Sequence, residues 1–137
     1  MSAFKSGVDK VRGIAPKRAA DIIASFSPNL AAYPLEGNWL TKKHLAILLS
    51  MTESAKVVSG GKTAVVIGGG AGRTEETQEV ILEYLSQVQV PAVIDADAIQ
   101  AVAKKPSVIA GKNFLITPHT YEFFVLTGKE VYQLPDE

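Results

Sequence analysis

The hydrophobic positions of this chain form short apolar runs that alternate with segments of helical period. The three most apolar runs are residues 64–67, 92–94 and 114–116. Each predicts a strand buried on both faces, which is typical of a parallel sheet covered by helices. The more polar run Val8–Ile14 and the short run Leu30–Leu35 predict two further strands.

Helices are predicted between these strands. Thr41 and Thr74 can cap two of them, and Gly7 and Gly128 can end the first and the last. The predicted helices cover about residues 1–6, 16–26, 41–51, 74–88, 98–104 and 121–126. The clearest inner face follows Thr74 and is formed by Val80, Ile81, Tyr84, Leu85 and Val88. This alternation predicts an α/β fold, a three-layer αβα arrangement with a mainly parallel sheet.

The composition is that of one soluble globular domain spanning residues 1–137. Lys plus Arg and Asp plus Glu both number 14 and are interspersed, so we expect neither a nucleic-acid nor a membrane partner. The chain has no cysteine, which excludes disulfides and thiolate metal sites. The longest apolar stretch of a helical segment, residues 45–49, is too short to span a bilayer. We therefore expect a cytoplasmic protein.

Residues suited to a polar ligand follow each of the three strongest strands. They are the glycine loop Gly68–Gly72, the acidic pair Asp95 and Asp97, and the stretch Thr117–Glu122. Ligands of open α/β sheets bind beyond the carboxyl ends of the strands, so parallel neighbours would bring these motifs to one sheet edge. The sequence therefore predicts a single site.

The glycine loop can hold a phosphate or another oxyanion, because glycines let a ligand approach backbone amides closely. The alternative is a tight turn without a ligand. The loop is not a dinucleotide-binding fingerprint, since Arg73 stands where that pattern needs its last glycine. Asp95 and Asp97 could bind Mg²⁺ or orient a substrate hydroxyl. The alternative, expected of at least one of them, is that it caps the next helix.

His119 and Glu122 also allow two interpretations. The histidine can donate to a ligand oxygen or act as an acid or base, and Glu122 can bind a metal-bridged phosphate. Alternatively, His119 or Thr117 caps the last helix and Glu122 completes a capping box. His44, beside two lysines, is predicted to be a solvated surface residue with little effect on activity.

The segments Val93–Ala98 and Thr117–Gly128 resemble the ADP/ATP-dependent NAD(P)H-hydrate dehydratases of the ribokinase-like superfamily. The Ser27-Pro28 turn and the glycine loop occur in the order expected for that family. Gly69 and Ala71 stand where the family usually has proline and leucine.

This resemblance implies repair of hydrated NADH or NADPH. ADP or ATP with Mg²⁺ would phosphorylate the added hydroxyl, and loss of phosphate would restore the dihydronicotinamide. The implied substrate-binding residues are Gly68, Gly70, Gly72 and His119. The implied nucleotide and phosphate region contains Asp95, Asp97 and Glu122, with Asp95 and Glu122 as metal ligands.

The resemblance has one gap. The family's Gly-Ser/Thr-Gly-Asp motif, which carries the catalytic base and an anion hole, does not occur in these 137 residues. The chain thus resembles the central portion of such an enzyme, an incomplete ribokinase-like domain with no catalytic residue of its own. We expect it to be inactive alone and to form a homo-oligomer. The alternatives are a small-metabolite kinase of the same superfamily and a non-catalytic assembly domain.

Overall fold

The computed structural model describes residues 2–26 and 29–130, so Met1, the Ser27-Pro28 turn and residues 131–137 lie outside the described residues. By its contacts the chain divides into two compact units, residues 1–40 and residues 41–137. Each unit is an α/β arrangement with parallel strands, which confirms the predicted fold class. No helix within the described residues is long and apolar enough to cross a membrane.

The first unit contains a two-stranded parallel sheet. Its elements are α1 (Ser2–Lys5), β1 (Arg12–Pro16), α2 (Lys17–Phe26) and β2 (Ala31–Leu35). Strand β1 begins four residues later than the prediction and includes Pro16, which was expected in the first turn of α2. Pro16 can end this strand because a strand with a free side tolerates a residue that lacks an N–H.

The second unit contains a three-stranded sheet. Its elements are a 3₁₀ turn (Lys42–His44), α3 (Leu45–Val58), β3 (Val65–Ile67), α4 (Glu75–Gln87), β4 (Ala92–Ile94), α5 (Asp97–Lys104), a second 3₁₀ turn (Pro106–Ile109), β5 (Phe114–Ile116) and α6 (Thr120–Thr127). All three strands are parallel in the order β3-β4-β5. This confirms that the three strongest apolar runs are parallel strands of one sheet.

The core of the second unit lies where α4 and α5 pack. The predicted inner face of α4 is buried as expected: Val80, Ile81, Tyr84, Leu85 and Val88 are all at most 5% exposed. The predicted Thr74 cap of α4 is also present, since the Thr74 hydroxyl accepts a hydrogen bond from the Thr77 N–H. Inside the core, the Thr52 hydroxyl donates to the Leu48 carbonyl and lies 2.7 Å from the Tyr84 hydroxyl. Burial raises the pKa of Tyr84.

Lys112, just before β5, binds the C-terminal end of α4. Its ammonium donates to the carbonyl oxygens of Leu85 and Ser86 at 2.6 and 2.7 Å. These carbonyls belong to the last turn of α4, where a helix leaves its acceptors unpaired and favours a cation. Lys112 therefore ties the start of β5 to the end of α4.

His44 is buried, which corrects the prediction of a solvated surface residue. It is 4% exposed, and its Nδ1 accepts a hydrogen bond from the Thr41 N–H at 3.0 Å. The prediction failed because the two preceding lysines point to a surface, whereas a 3₁₀ turn directs the third residue inward. The helix after it is also longer than predicted, ending at Val58 rather than near Met51.

We predict that His44→Ala destabilises the protein by about 1–2 kcal/mol. The change removes the acceptor for the partly buried Thr41 N–H and the packing of a buried imidazole. Chemical denaturation monitored by circular dichroism measures this difference. Ser50→Ala, at an exposed position of α3, is the control and should change stability by less than about 0.5 kcal/mol. Equal stabilities for the two variants would contradict the buried role of His44.

Candidate functional site

The carboxyl ends of β3, β4 and β5 lie side by side, as predicted. The parallel hydrogen-bond pattern continues one residue past the strands: the Asp95 N–H donates to the Ile67 carbonyl at 3.0 Å, and the Thr117 N–H donates to the Ile94 carbonyl at 3.1 Å. The residues after the three strands therefore share one boundary of the sheet. We call this boundary, from Gly68 across Asp95 to Thr117, the carboxyl edge.

Gly68 permits an unusually close approach at the carboxyl edge. Its φ is +129°, and a Cβ at this position would lie 1.7 Å from the Asp95 carbonyl oxygen and 2.9 Å from the Ala98 Cβ. No side chain fits there without moving the backbone after β4. Gly68 therefore has a steric role, as the tight-turn alternative requires. Gly70 and Gly72 also have positive φ but have no atoms within 4 Å of a would-be Cβ, so the space on that side of each residue is open.

Ala96 lies between the two aspartates in a conformation that normally favours glycine. Its φ and ψ are +46° and −121°, and it is the only non-glycine residue of the described chain with positive φ. The Ala98 N–H donates to the Asp95 carbonyl at 3.1 Å and closes the turn. Such a conformation costs about 1–3 kcal/mol and is found more often at functional sites than elsewhere.

Asp97 holds the glycine loop against the start of α5. Its Oδ2 accepts the Gly72 N–H at 2.9 Å, and its Oδ1 accepts the Arg73 Nε–H at 2.7 Å. The Arg73 hydrogen bond is the main reason that the pKa of Asp97 lies below its ordinary value, and the Gly72 N–H lowers it further. We call this arrangement of Gly72, Arg73 and Asp97 the loop clamp. In the sequence Arg73 shows only as a departure from a glycine motif, and no local pattern indicates that Asp97 is its partner.

Asp95 faces the next strand. Its Oδ1 accepts a hydrogen bond from the Thr117 hydroxyl at 2.8 Å. The expectation that Asp95 or Asp97 caps α5 is wrong, because the N-cap residue is Ala96 and no side chain caps this helix end. The turn at Ala96 explains the outcome, since it directs one carboxylate toward Thr117 and the other toward the glycine loop.

His119 and Glu122 form the capping box that was the alternative interpretation. The Glu122 Oε2 accepts the His119 N–H at 3.0 Å, and the His119 Nδ1 accepts the Glu122 N–H at 3.5 Å. The Glu122 Oε1 lies 3.3 Å from the His119 Nε2. Glu122 is buried, whereas the His119 side chain is 66% exposed. The imidazole can therefore cap α6 and still reach a ligand.

The carboxyl edge carries charges of both signs. The hydrogen bond from Arg73 to Asp97 raises the pKa of Arg73, and Glu122 and Tyr121 act in the same direction. Arg73 therefore lies within electrostatic range of the start of α6. Within the described part of the chain, no three His, Cys, Asp or Glu side chains group as a metal site. Two carboxylates, Asp95 and Glu122, lie near this edge, but both Glu122 oxygens already contact His119, its N–H at 3.0 Å and its Nε2 at 3.3 Å.

The strand order and the carboxyl edge define an open parallel α/β domain whose motif residues share one sheet edge. The sequence profile of the family described as NAD(P)H-hydrate dehydratase matches residues 1–136. The chain belongs to this family.

Several curated proteins are similar to the chain. A bifunctional NAD(P)H-hydrate repair enzyme Nnr of Pyrobaculum aerophilum is 38% identical over 132 residues, which cover 95% of this chain and 24% of that protein. An ATP-dependent (S)-NAD(P)H-hydrate dehydratase of Schizosaccharomyces pombe is 34% identical, covering 94% of this chain and 41% of that protein. An enzyme of the same name from Emericella nidulans is 30% identical, covering 90% and 35%. The chain thus spans between about a quarter and two fifths of the length of these relatives.

We predict that Gly68→Ala destabilises the protein by roughly 2–5 kcal/mol, because it adds both steric overlap and backbone strain. Gly69→Ala is a matched control one residue away, since a Cβ there has no atom within 4 Å and its φ is not in the positive range. Thermal or urea denaturation measures both. A Gly68→Ala protein as stable as Gly69→Ala would show that the loop does not pack against Asp95.

The lowered pKa of Asp97 predicts a pH-dependent contribution to stability. A carboxylate with a folded-state pKa below its ordinary 3.8 stabilises the fold above that pH, and this contribution is lost as pH falls through the folded-state pKa. Asp97→Asn should therefore be less stable than wild type at pH 7, and the difference should shrink below about pH 4. Urea denaturation at several pH values measures it.

Arg73→Gln is the control background for this prediction. In the Arg73→Gln protein, which lacks the guanidinium, adding Asp97→Asn should change stability by an amount that depends less on pH than it does in the wild type. A destabilisation by Asp97→Asn that is equal at pH 7 and at about pH 3 would contradict the loop clamp as its origin.

Proposed function

We propose that the protein acts in nicotinamide-cofactor repair, the ADP- or ATP-dependent dehydration of hydrated NADH or NADPH. The observation that carries this proposal is the family match over residues 1–136. Two features support it: the relatives' names include ATP-dependent (S)-NAD(P)H-hydrate dehydratase, and the motif residues lie along one sheet edge.

The open backbone of the glycine loop and the exposed imidazole of His119 would bind the hydrated dinucleotide. Gly70 and Gly72 leave room for a ligand beside the main chain, and Gly68 allows the start of the loop to lie against the Asp95 carbonyl. The His119 proton resides on Nε2, because Nδ1 accepts the Glu122 N–H. A ligand oxygen would share or replace the contact of this N–H with Glu122 Oε1, which lies 3.3 Å from Nε2. The two groups would fix the position of the hydrated ring.

Asp95 would hold Mg²⁺ together with nucleotide phosphates, and the ion would supply positive charge beside the phosphoryl group. Glu122 would join it only by giving up its contacts with His119, because its Oε2 accepts the His119 N–H at 3.0 Å and its Oε1 lies 3.3 Å from Nε2. Asp97 would act through the loop clamp rather than as a direct ligand, because the protein engages both of its oxygens. Phosphorylation would convert the added hydroxyl, a poor leaving group, into phosphate. Departure of that phosphate and loss of a ring proton would restore the double bond.

Two further expectations belong to this proposal. The first is that these 137 residues do not turn over hydrated cofactor without additional groups, a base and an anion hole. The second is self-association. Val66 and Leu115 are 75% and 62% exposed, and both align with Val93 across the sheet, so one sheet face presents apolar side chains. A second copy of the chain is the occupant we propose for that face.

The ligand role of His119 can be separated from its capping role. We predict that His119→Ala weakens the binding of hydrated NADH by roughly ten- to a hundredfold, as expected for loss of one hydrogen bond to a charged or strongly polar group. His119→Asn keeps a good helix cap but removes the imidazole. Calorimetric titration gives the dissociation constants, and denaturation gives the stabilities.

The expected result is that His119→Asn has near wild-type stability and the weakened binding of His119→Ala. Full recovery of binding in His119→Asn would assign the residue to capping alone. Wild-type protein that binds neither hydrated cofactor nor ATP would contradict the proposed function.

A further inference from the structure

The guanidinium of Arg73 is anchored at one nitrogen while its other two remain available. Nε donates to Asp97 Oδ1 at 2.7 Å. The second oxygen of Asp97 accepts the Gly72 N–H, so the usual two-point pairing of guanidinium and carboxylate does not form. Within the described part of the chain, the terminal amino groups of Arg73 have no hydrogen-bond partner, and the side chain is 67% exposed.

Anchoring of this kind prepares an arginine for an anionic ligand. A free arginine side chain loses conformational entropy when it binds, but the Nε anchor has already fixed most of its torsions. The two remaining amino groups present parallel donors that match the spacing of phosphate oxygens. Arg73 also follows directly on the glycine loop, so the segment proposed to hold the dinucleotide carries this cation as well.

We propose that Arg73 is a specificity-determining residue that binds a phosphate group of the ligand, and that Asp97 is its positioning residue. This inference rests on the proposed function, because both proposed ligands are phosphate esters. Three phosphate sources share the required chemistry. They are the 2′-phosphate of hydrated NADPH, the diphosphate bridge common to both hydrated dinucleotides, and the terminal phosphates of ATP.

The test measures dissociation constants of hydrated NADPH, hydrated NADH and ATP with wild-type protein, Arg73→Gln and Arg73→Lys. Arg73→Gln should weaken hydrated NADPH alone, both dinucleotides or ATP alone by roughly ten- to a hundredfold, the scale of losing a charge-assisted hydrogen bond. Arg73→Lys keeps the charge but loses the planar pair of donors, so it should recover only part of that affinity. Asp97→Asn should lower affinity for the same ligand, although less.

Lys42→Gln is the matched control. Lys42 has a similarly exposed side chain, 68% against 67% for Arg73, and it also pairs with one carboxylate, that of Glu79. It lies on the turn before α3 rather than at the carboxyl edge. Its replacement should leave all three dissociation constants within about twofold, as expected for an exposed ion pair of small energetic weight.

The pattern of losses identifies the phosphate. A loss for hydrated NADPH alone assigns Arg73 to the 2′-phosphate, an equal loss for both dinucleotides assigns it to the diphosphate bridge, and a loss for ATP alone assigns it to the nucleotide. A structural role alone would lower stability and weaken all three ligands together, which overturns the proposal.

If Arg73→Gln folds and its dissociation constants for all three ligands equal those of the wild type, the proposal for Arg73 is overturned and the proposed function is unaffected. Wild-type protein that binds none of the three ligands overturns both. If Arg73→Gln does not fold, Arg73→Lys decides, because its partial and ligand-selective loss is the expected result.

Discussion

The close approach of the Gly68 backbone to the Asp95 carbonyl oxygen is the contact on which the candidate site depends. It sets how far the end of β3 stands from the end of β4, with no space for even a Cβ between them. The glycine loop, the turn at Ala96 and the loop clamp are all built on this spacing. Without it, Gly72 and Arg73 could not reach Asp97, which lies 25 and 24 residues further along the chain.

The elements that the sequence predicts well are those governed by local periodicity. The inner face of α4 and its Thr74 cap follow from spacing and capping chemistry within a single helix, and both are present as expected. The parallel order of β3, β4 and β5 follows from apolar runs separated by helices. Capping of α6 by His119 and Glu122 was also visible, because its partners lie three residues apart.

The features that the sequence did not predict depend on distant partners or on unusual backbone. The loop clamp joins residues of different strand ends, so no local pattern indicates that Arg73 and Asp97 meet. The conformation of Ala96 is unexpected because alanine rarely adopts positive φ, and it removes both aspartates from capping α5. The burial of His44 is also unexpected, because the two lysines before it predict a surface position, whereas the folded chain covers its side chain. A signal for Arg73 did exist, in a cation directly after a glycine loop.

The positive φ of Ala96 lowers the stability of the fold but keeps the backbone between Asp95 and Asp97 ordered. Glycine at this position would relieve the strain of the turn and would be favoured by any selection for thermal resistance alone. The same change would give the turn between Asp95 and Asp97 more backbone freedom, so that the two carboxylates could reorient independently. Alanine restricts that rotation at the expense of folding energy. Selection for heat tolerance alone would therefore be expected to replace this alanine and to leave the two carboxylates less ordered.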